Sequence, residues 1–302
     1  MSFPIGLYVM YNSDIGKELN YQYPINGLDM FLGDIGYKIP VTFEMGDAFV
    51  ITWTIFLILF TISYFGPENS LLKTLSSMMS REVKRFHGNS MVNMIAWFSI
   101  LILFSVTIDA VQQRFGVTMD APTSSNDLVR FFQLGISPLT EEAGFRVLLI
   151  GVPLFLMYSH IPSWKMLIKS LWRPAKYLEI SDYRKPMILI ITIGLLFGVA
   201  HIISGTPWSP GKVTQAAVAG IIIGWVYVRY GLAPAILVHW ATNYFLFSYL
   251  FFLSNLSQSS TINDSSNPFS NTVEVILVTT GLFALAIKIL ERIEAKTIQS
   301  SL

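Results

Sequence analysis

Long apolar runs broken by short polar stretches dominate this chain. A helix crossing a hydrocarbon core of about 30 Å needs roughly 20 apolar residues. Ala48–Phe65 and Met91–Ile108 fit that requirement with no formal charge. Leu148–Ser159 is apolar and becomes long enough if its helix starts near Thr140. Pro186–Ile203 and Leu232–Leu253 also fit, Val213–Val228 is shorter but dense in Ala, Gly and Ile, and Thr272–Ile287 is weakened by Glu274. The pattern predicts an all-α, polytopic membrane helix bundle of seven or eight transmembrane helices. Asn126–Ile136 has the amphipathic pattern of a segment lying at the membrane interface. Residues 1–46 form an extramembrane segment before the bundle, 47–291 the bundle itself, and 292–302 a C-terminal tail.

Composition removes whole function classes. Of 302 residues, 53% are hydrophobic and 13% charged, against roughly 25% charged in a soluble domain. Twenty basic residues against 19 acidic ones leave no basic field for phosphates, so nucleic acid is not a partner. There is no cysteine, hence no disulfide, no thiolate nucleophile and no sulfur ligand for a metal. Residues 1–45 lack a basic stretch followed by an apolar one, so no signal peptide is expected there. No internal repeat is visible, which weakens transporter folds built from inverted repeats.

Charge also orients the bundle. Fourteen of the twenty basic residues fall on one set of alternate loops, in the groups Lys73–Arg85, Lys165–Lys185, Arg229 and Lys288–Lys296. Lys17, Lys38, Arg114, Arg130 and Lys212 lie on the other side, and Arg146 lies inside a span. The positive-inside rule then places the N-terminus outside and the C-terminus in the cytoplasm of a cell membrane. The Ser-, Asn- and Thr-rich stretch Ser254–Asn271 becomes an external loop, with Asn255 and Asn263 as glycan acceptors where the cell has the machinery.

An ionisable side chain inside a span costs a few kcal/mol. Five such residues stand out: Glu141, Glu142, Arg146, His201 and His239, joined by the amide of Asn243. In Pro138–Arg146 (PLTEEAGFR), Glu142 and Arg146 are four apart and can pair, while Glu141 points about 100° away. A charged first helical turn capped by Thr140, or by Ser137 ahead of Pro138, also accounts for the glutamates. It accounts poorly for Arg146, because a cation there opposes the helix dipole. His201 follows an unbroken apolar run, and alone it reads as an interhelical hydrogen bond. His239 and Asn243 share one helix face, and Asn243 either bonds a neighbouring helix or helps hold His239. Taken together, three helices each carry polar groups into the membrane, and such groups avoid lipid by facing one another. One buried, water-accessible site is expected.

These residues resemble the three motifs of the CPBP family, the intramembrane CAAX-processing and bacteriocin-processing proteases that include the type II CAAX prenyl endopeptidases. The motifs are Glu141-Glu142-Ala-Gly-Phe-Arg146, Phe197-Gly-Val-Ala-His201 and His239-Trp-Ala-Thr-Asn243, in the family's order, over a core of about 126–253. The resemblance implies a glutamate-type membrane endopeptidase. Glu141 would be the general base that activates water, with His201 orienting it. His239 and Asn243 would stabilise the oxyanion, and Glu142 and Arg146 would shape and charge-balance the site. No cofactor is expected; a metalloprotease variant would use zinc on Glu141, His201 and His239, although no H-E-x-x-H helix is present.

The substrate implied is a membrane-associated peptide or protein, with lipidated tails among the candidates. The charge count sets Glu141 and His201 toward the outer face and His239 nearer the inner half of its span. The site is then at mid-depth between tilted helices, or one span boundary is misplaced. Cysteine proteolysis is impossible, and aspartyl proteolysis lacks a membrane-embedded Asp pair, since Asp47 and Asp109 sit at span edges. Two other functions compete: a transporter using Glu141, His201 and His239 as a proton relay, and a non-catalytic membrane interaction protein.

Overall fold

The computed structural model describes residues 8, 10–14, 16–18, 28–32, 35–40, 44–66, 69–80, 89–119, 127–160, 163–203, 208–248 and 268–300. The described part of the bundle is built of helices. Its helices are α1 (Met45–Phe65), α2 (Leu71–Met79), α3 (Ser90–Arg114), α4 (Asp127–Glu141), α5 (Val152–Tyr158), α6 (Trp164–Trp172), α7 (Pro174–Tyr177), α8 (Arg184–Ile203), α9 (Lys212–Tyr230), α10 (Leu232–Asn243) and α11 (Pro268–Ser300). Two wider π-helical stretches, Glu142–Gly151 and Tyr244–Ser248, continue α4 and α10 without a break.

Ahead of the bundle, β1 (Leu28–Leu32) and β2 (Ile35–Ile39) form an antiparallel hairpin that sets Asp29 opposite Lys38. The sequence reading left this element out. Part of its signal is there: Ile35, Tyr37 and Ile39 alternate with Gly36 and Lys38 just after the dipeptide Gly33-Asp34.

Among the described residues, five helices are long and apolar enough to cross a membrane: Met45–Phe65, Ser90–Arg114, Arg184–Ile203, Lys212–Tyr230 and Asn271–Glu294. The expected count of seven is therefore not reached by uninterrupted α-helices. The other two expected spans are composite. The third does not start near Thr140. Its helix starts at Asp127 and runs through the π stretch to Tyr158, so the amphipathic segment and the span form one rod. Pro138 lies inside α4 and Pro153 opens α5. Each removes one N–H from the backbone ladder on either side of the widened stretch. The misplaced boundary matters for depth, because Glu141 closes a 15-residue helix, about 21 Å from its start at 1.5 Å per residue. The stretch 249–253, residues 254–267 with both glycan-acceptor asparagines, and Arg81, Lys84 and Arg85 lie outside the described residues.

The centre of the bundle is α10, where every residue from Ala233 to His239 is buried. It packs against α1, α3, α4 and α9. An aromatic cluster fixes it to α1: the Trp240 ring lies 6.0 Å from Trp53, 5.4 Å from Phe56 and 5.5 Å from Phe60, and it stacks on Tyr244. Such pairs contribute about 0.5–1.5 kcal/mol each, and they hold the residue next to His239. At the start of α3, buried Asn89 accepts from the Met91 and Val92 amides and donates to the carbonyls of Tyr64 and Asn69. This one cap ties α3 to the end of α1. On the outside, α11 packs along α3 and leaves Val275, Ile276, Phe283 and Leu290 exposed, as a lipid-facing helix would.

The most extensive helix pair is α8 with α9. Lipid tails are as apolar as leucine, so membrane helices associate through close packing of small residues. A Cβ on Gly198 would lie 2.5 Å from the Val213 carbonyl oxygen and 2.8 Å from Ala217 Cβ. Gly198→Val is expected to destabilise the bundle by about 1–3 kcal/mol or more, read as a lower thermal midpoint in detergent. Gly135→Ala, where an added Cβ meets nothing within 4 Å, is expected to leave that midpoint unchanged or raise it.

Candidate active site

Four elements bring polar groups to one place. Glu141 ends α4, Glu142 and Arg146 occupy the π stretch, His201 lies near the end of α8, and His239 and Asn243 belong to α10. Glu142 and Arg146 pair as their spacing predicts, with Arg146 Nε 3.1 Å from Glu142 Oε2. Both are sealed from solvent, at 0% and 1% exposure. The guanidinium carbon also lies 4.5 Å above the Phe197 ring, and a terminal nitrogen donates to the Gly220 carbonyl at 3.5 Å.

The second oxygen of Glu142 faces a histidine. His239 Nδ1–H donates to Glu142 Oε1 at 2.8 Å, across 97 positions of sequence. The opposite ring nitrogen, Nε2, faces Glu141 Oε2 at 3.7 Å. One imidazole thus stands between two carboxylates, and Arg146 fixes one of them. Removing one member of a buried charged pair typically costs about 3–5 kcal/mol, because the other is left uncompensated.

His201 joins through Phe197 rather than through a glutamate. Its Nδ1–H donates to the Phe197 carbonyl at 2.8 Å, which leaves Nε2 as the acceptor of the neutral ring. The Phe197 ring lies 4.7 Å from His201, 5.9 Å from His239 and 4.9 Å from Phe145. His201 and His239 line one cavity of about 30 Å³ with Phe197, Lys212, Gln215 and Asn243. That is room for a water or two.

The sequence reading needs several adjustments. Ser137 and Thr140 do not cap a helix, because both lie inside α4, where Thr140 Oγ1 donates to the Ser137 carbonyl at 3.1 Å. The glutamates are therefore not a solvated first turn. Asn243 Nδ2 donates to Ser137 Oγ at 3.0 Å, which is the interhelical bond of its two expected roles, while its side chain still lines the cavity. Lys212, counted with the outer-side charges, is buried at 7% exposure. Gln215, Phe197 and Ser137 were overlooked as site neighbours. An amide inside a span, as at Gln215, is the kind of signal that could have found one of them.

Zinc on Glu141, His201 and His239 would have to be held through Nε2 of each imidazole, since Nδ1 of His239 donates to Glu142 and Nδ1 of His201 donates to the Phe197 carbonyl. Among the described residues no three His, Asp or Glu side chains converge as a ligand set.

Residues 126–245 match a family model described as type II CAAX prenyl endopeptidase Rce1-like. The matched segment runs from the start of α4 past the end of α10, so it includes all six residues singled out from sequence. No curated protein and no solved structure matches the chain.

The ion pair is testable apart from any activity. Arg146→Met is expected to lower stability by about 3–5 kcal/mol, seen as a lower midpoint in tryptophan-monitored thermal unfolding. Adding Glu142→Gln to that variant is expected to recover part of the loss. A single variant as stable as wild type would show that the pair does not support the bundle.

Proposed function

From this match, which supports membership of the CPBP family of membrane proteases, we propose that the protein is a glutamate-type intramembrane endopeptidase. It hydrolyses a peptide bond of a membrane-associated peptide or protein. The observation that carries this reading is His239, held between Glu142 and Glu141 beside a water-sized cavity that it shares with His201.

Glu141 is the base. Its Oε2 is buried and has no hydrogen-bond donor among the described residues, so it is suited to accept from a water. In the proposed step His201 Nε2 orients that water. Glu141 takes one of its protons as the oxygen attacks the carbonyl carbon. The negative charge that develops on the substrate oxygen is met by His239 and by the Asn243 amide. Glu141 then passes its proton to the departing amine nitrogen as the C–N bond breaks. Donors already aimed at a developing charge need no reorganisation during the reaction, and that is where most of the rate comes from. The Glu142–Arg146 pair holds the imidazole of His239 in place. No metal is used in this scheme.

The proposal extends to topology, with the N-terminus outside and the C-terminus cytoplasmic, from the distribution of Lys and Arg. The Asp127–Tyr158 and Leu232–Ser248 rods would then cross together with the five long helices.

The test is cleavage of quenched fluorogenic peptides, prenylated and unprenylated, by purified protein in detergent. Glu141→Gln, His201→Ala and His239→Ala are each expected to stay folded and to lose about 10²-fold or more in kcat/KM. Addition of a chelator is expected to leave wild-type cleavage unchanged. Cleavage retained in all three variants would end the proposal, and proton-coupled uptake into liposomes would favour a carrier instead.

A further inference from the structure

We propose that the outward face of α6, with Lys165, Lys169 and Lys176 beside Trp164 and Ile168, is a docking surface for anionic phospholipid headgroups. The occupant is the negatively charged leaflet of the bilayer itself. This inference goes beyond the peptidase reading and does not depend on it, because none of these residues lines the cavity of His201 and His239.

The two short helices α6 and α7 connect the Asp127–Tyr158 rod to α8, whose first residue is Arg184. They lie where the chain leaves the apolar bundle and enters it again. The sequence WKMLIKSLW folds as a helix with two unlike faces. Met166 and Leu167 pack on the main core, and Ser170 is buried. Trp164 and Ile168, four apart, face outward at 82% and 67% exposure. Lys165 and Lys169 each follow one of them and are also exposed. An outward tryptophan and isoleucine next to lysines suit a headgroup layer, where the apolar side chains reach lipid tails and the ammonium groups meet phosphates.

Charge selects an anionic leaflet over a neutral one. Between 161 and 185 there are six basic residues and only two acidic ones, Glu179 and Asp182. Asp182 Oδ1 accepts from the Arg184 amide at 2.9 Å. Among the described residues, Lys165, Lys169 and Lys176 form no ion pair with a carboxylate. Lys169 and Lys176 instead gather on one ring, with their Nζ atoms 5.5 Å and 5.7 Å from the centre of Tyr177. Like charges collected at the α6–α7 turn call for an anion. The turn is braced from inside. Tyr227 Oη donates to the Leu171 carbonyl at 2.9 Å. Gly231, at φ 106°, approaches so closely that a Cβ there would lie 2.7 Å from the Trp172 carbonyl oxygen. Gly231 immediately precedes α10, so a lipid held on α6 steadies the start of that helix, and stability reports its binding.

The test is titration of the purified protein in nonionic detergent with short-chain phosphatidylglycerol, phosphatidylcholine, inorganic phosphate or poly-glutamate, read as the thermal unfolding midpoint. For wild type, phosphatidylglycerol is expected to reach its half-maximal upward shift at a mole fraction about 10- to 100-fold lower than phosphatidylcholine, from three lysines at a headgroup layer. Added salt is expected to narrow that gap. The triple variant Lys165→Gln, Lys169→Gln, Lys176→Gln is expected to keep the lipid-free midpoint, since all three side chains are exposed, and to bring the ratio to about one. Each single variant is expected to give an intermediate ratio, and Arg at the same three positions to retain the preference. Lys73→Gln, at an exposed lysine of α2, is expected to leave it unchanged. Equal response of wild type to both lipids would overturn the proposal, as would a preference that survives in the triple Gln variant. An equal loss in Lys73→Gln would also overturn it, by assigning the effect to net charge. A shift reproduced by inorganic phosphate would assign the lysines to a free anion, and one reproduced by poly-glutamate to an acidic protein; either result would overturn the lipid surface.

Discussion

The Glu142 carboxylate, with no exposure to solvent, is the contact on which the site depends. One of its oxygens faces Arg146 and the other accepts from His239. A lone carboxylate, guanidinium or imidazole in this interior would be expensive. Arranged as a chain of three, each offsets the cost of the next. The same contact pins α10 to the π stretch after α4, so the charge balance of the site is also a tertiary contact of the bundle. It sets the imidazole's orientation, and with it the direction of Nε2 toward Glu141.

The surrounding fold serves to hold that chain still. Glycine-mediated contact brings α8 close to α9 and carries Phe197 over the guanidinium. The aromatic cluster on Trp240 clamps α10 from the opposite side. Phe197 has a double part: its ring covers Arg146 and touches both histidines, and its carbonyl fixes the tautomer of His201. A residue that reads as core in the sequence is thus the mechanical link between two polar helices.

The widened backbone after Glu141 belongs to the same design. Pro138 and Pro153 bracket a stretch in which the normal hydrogen-bond ladder is relaxed. The glutamates emerge from the middle of a long rod there, deep enough to meet His239. The same irregularity hid the rod from a reading that ended one segment at Ile136 and started another near Thr140.

The apolar run lengths and the scarcity of charge determined by themselves that this is a helical membrane bundle, since the bilayer sets both. Spacing determined that Glu142 can reach Arg146, because a helix places residues four apart on one face. The high cost of buried ionisable groups was enough to mark Glu141, His201 and His239. Tertiary structure alone decided that His239 stands between two carboxylates 97 and 98 positions away. It also decided that Asn243 turns to Ser137 and that Lys212 points inward. Periodicity describes one helix at a time. Which side chains meet across helices depends on crossing geometry, on small residues at contacts and on breaks in the backbone ladder, and those are settled only when the whole bundle packs.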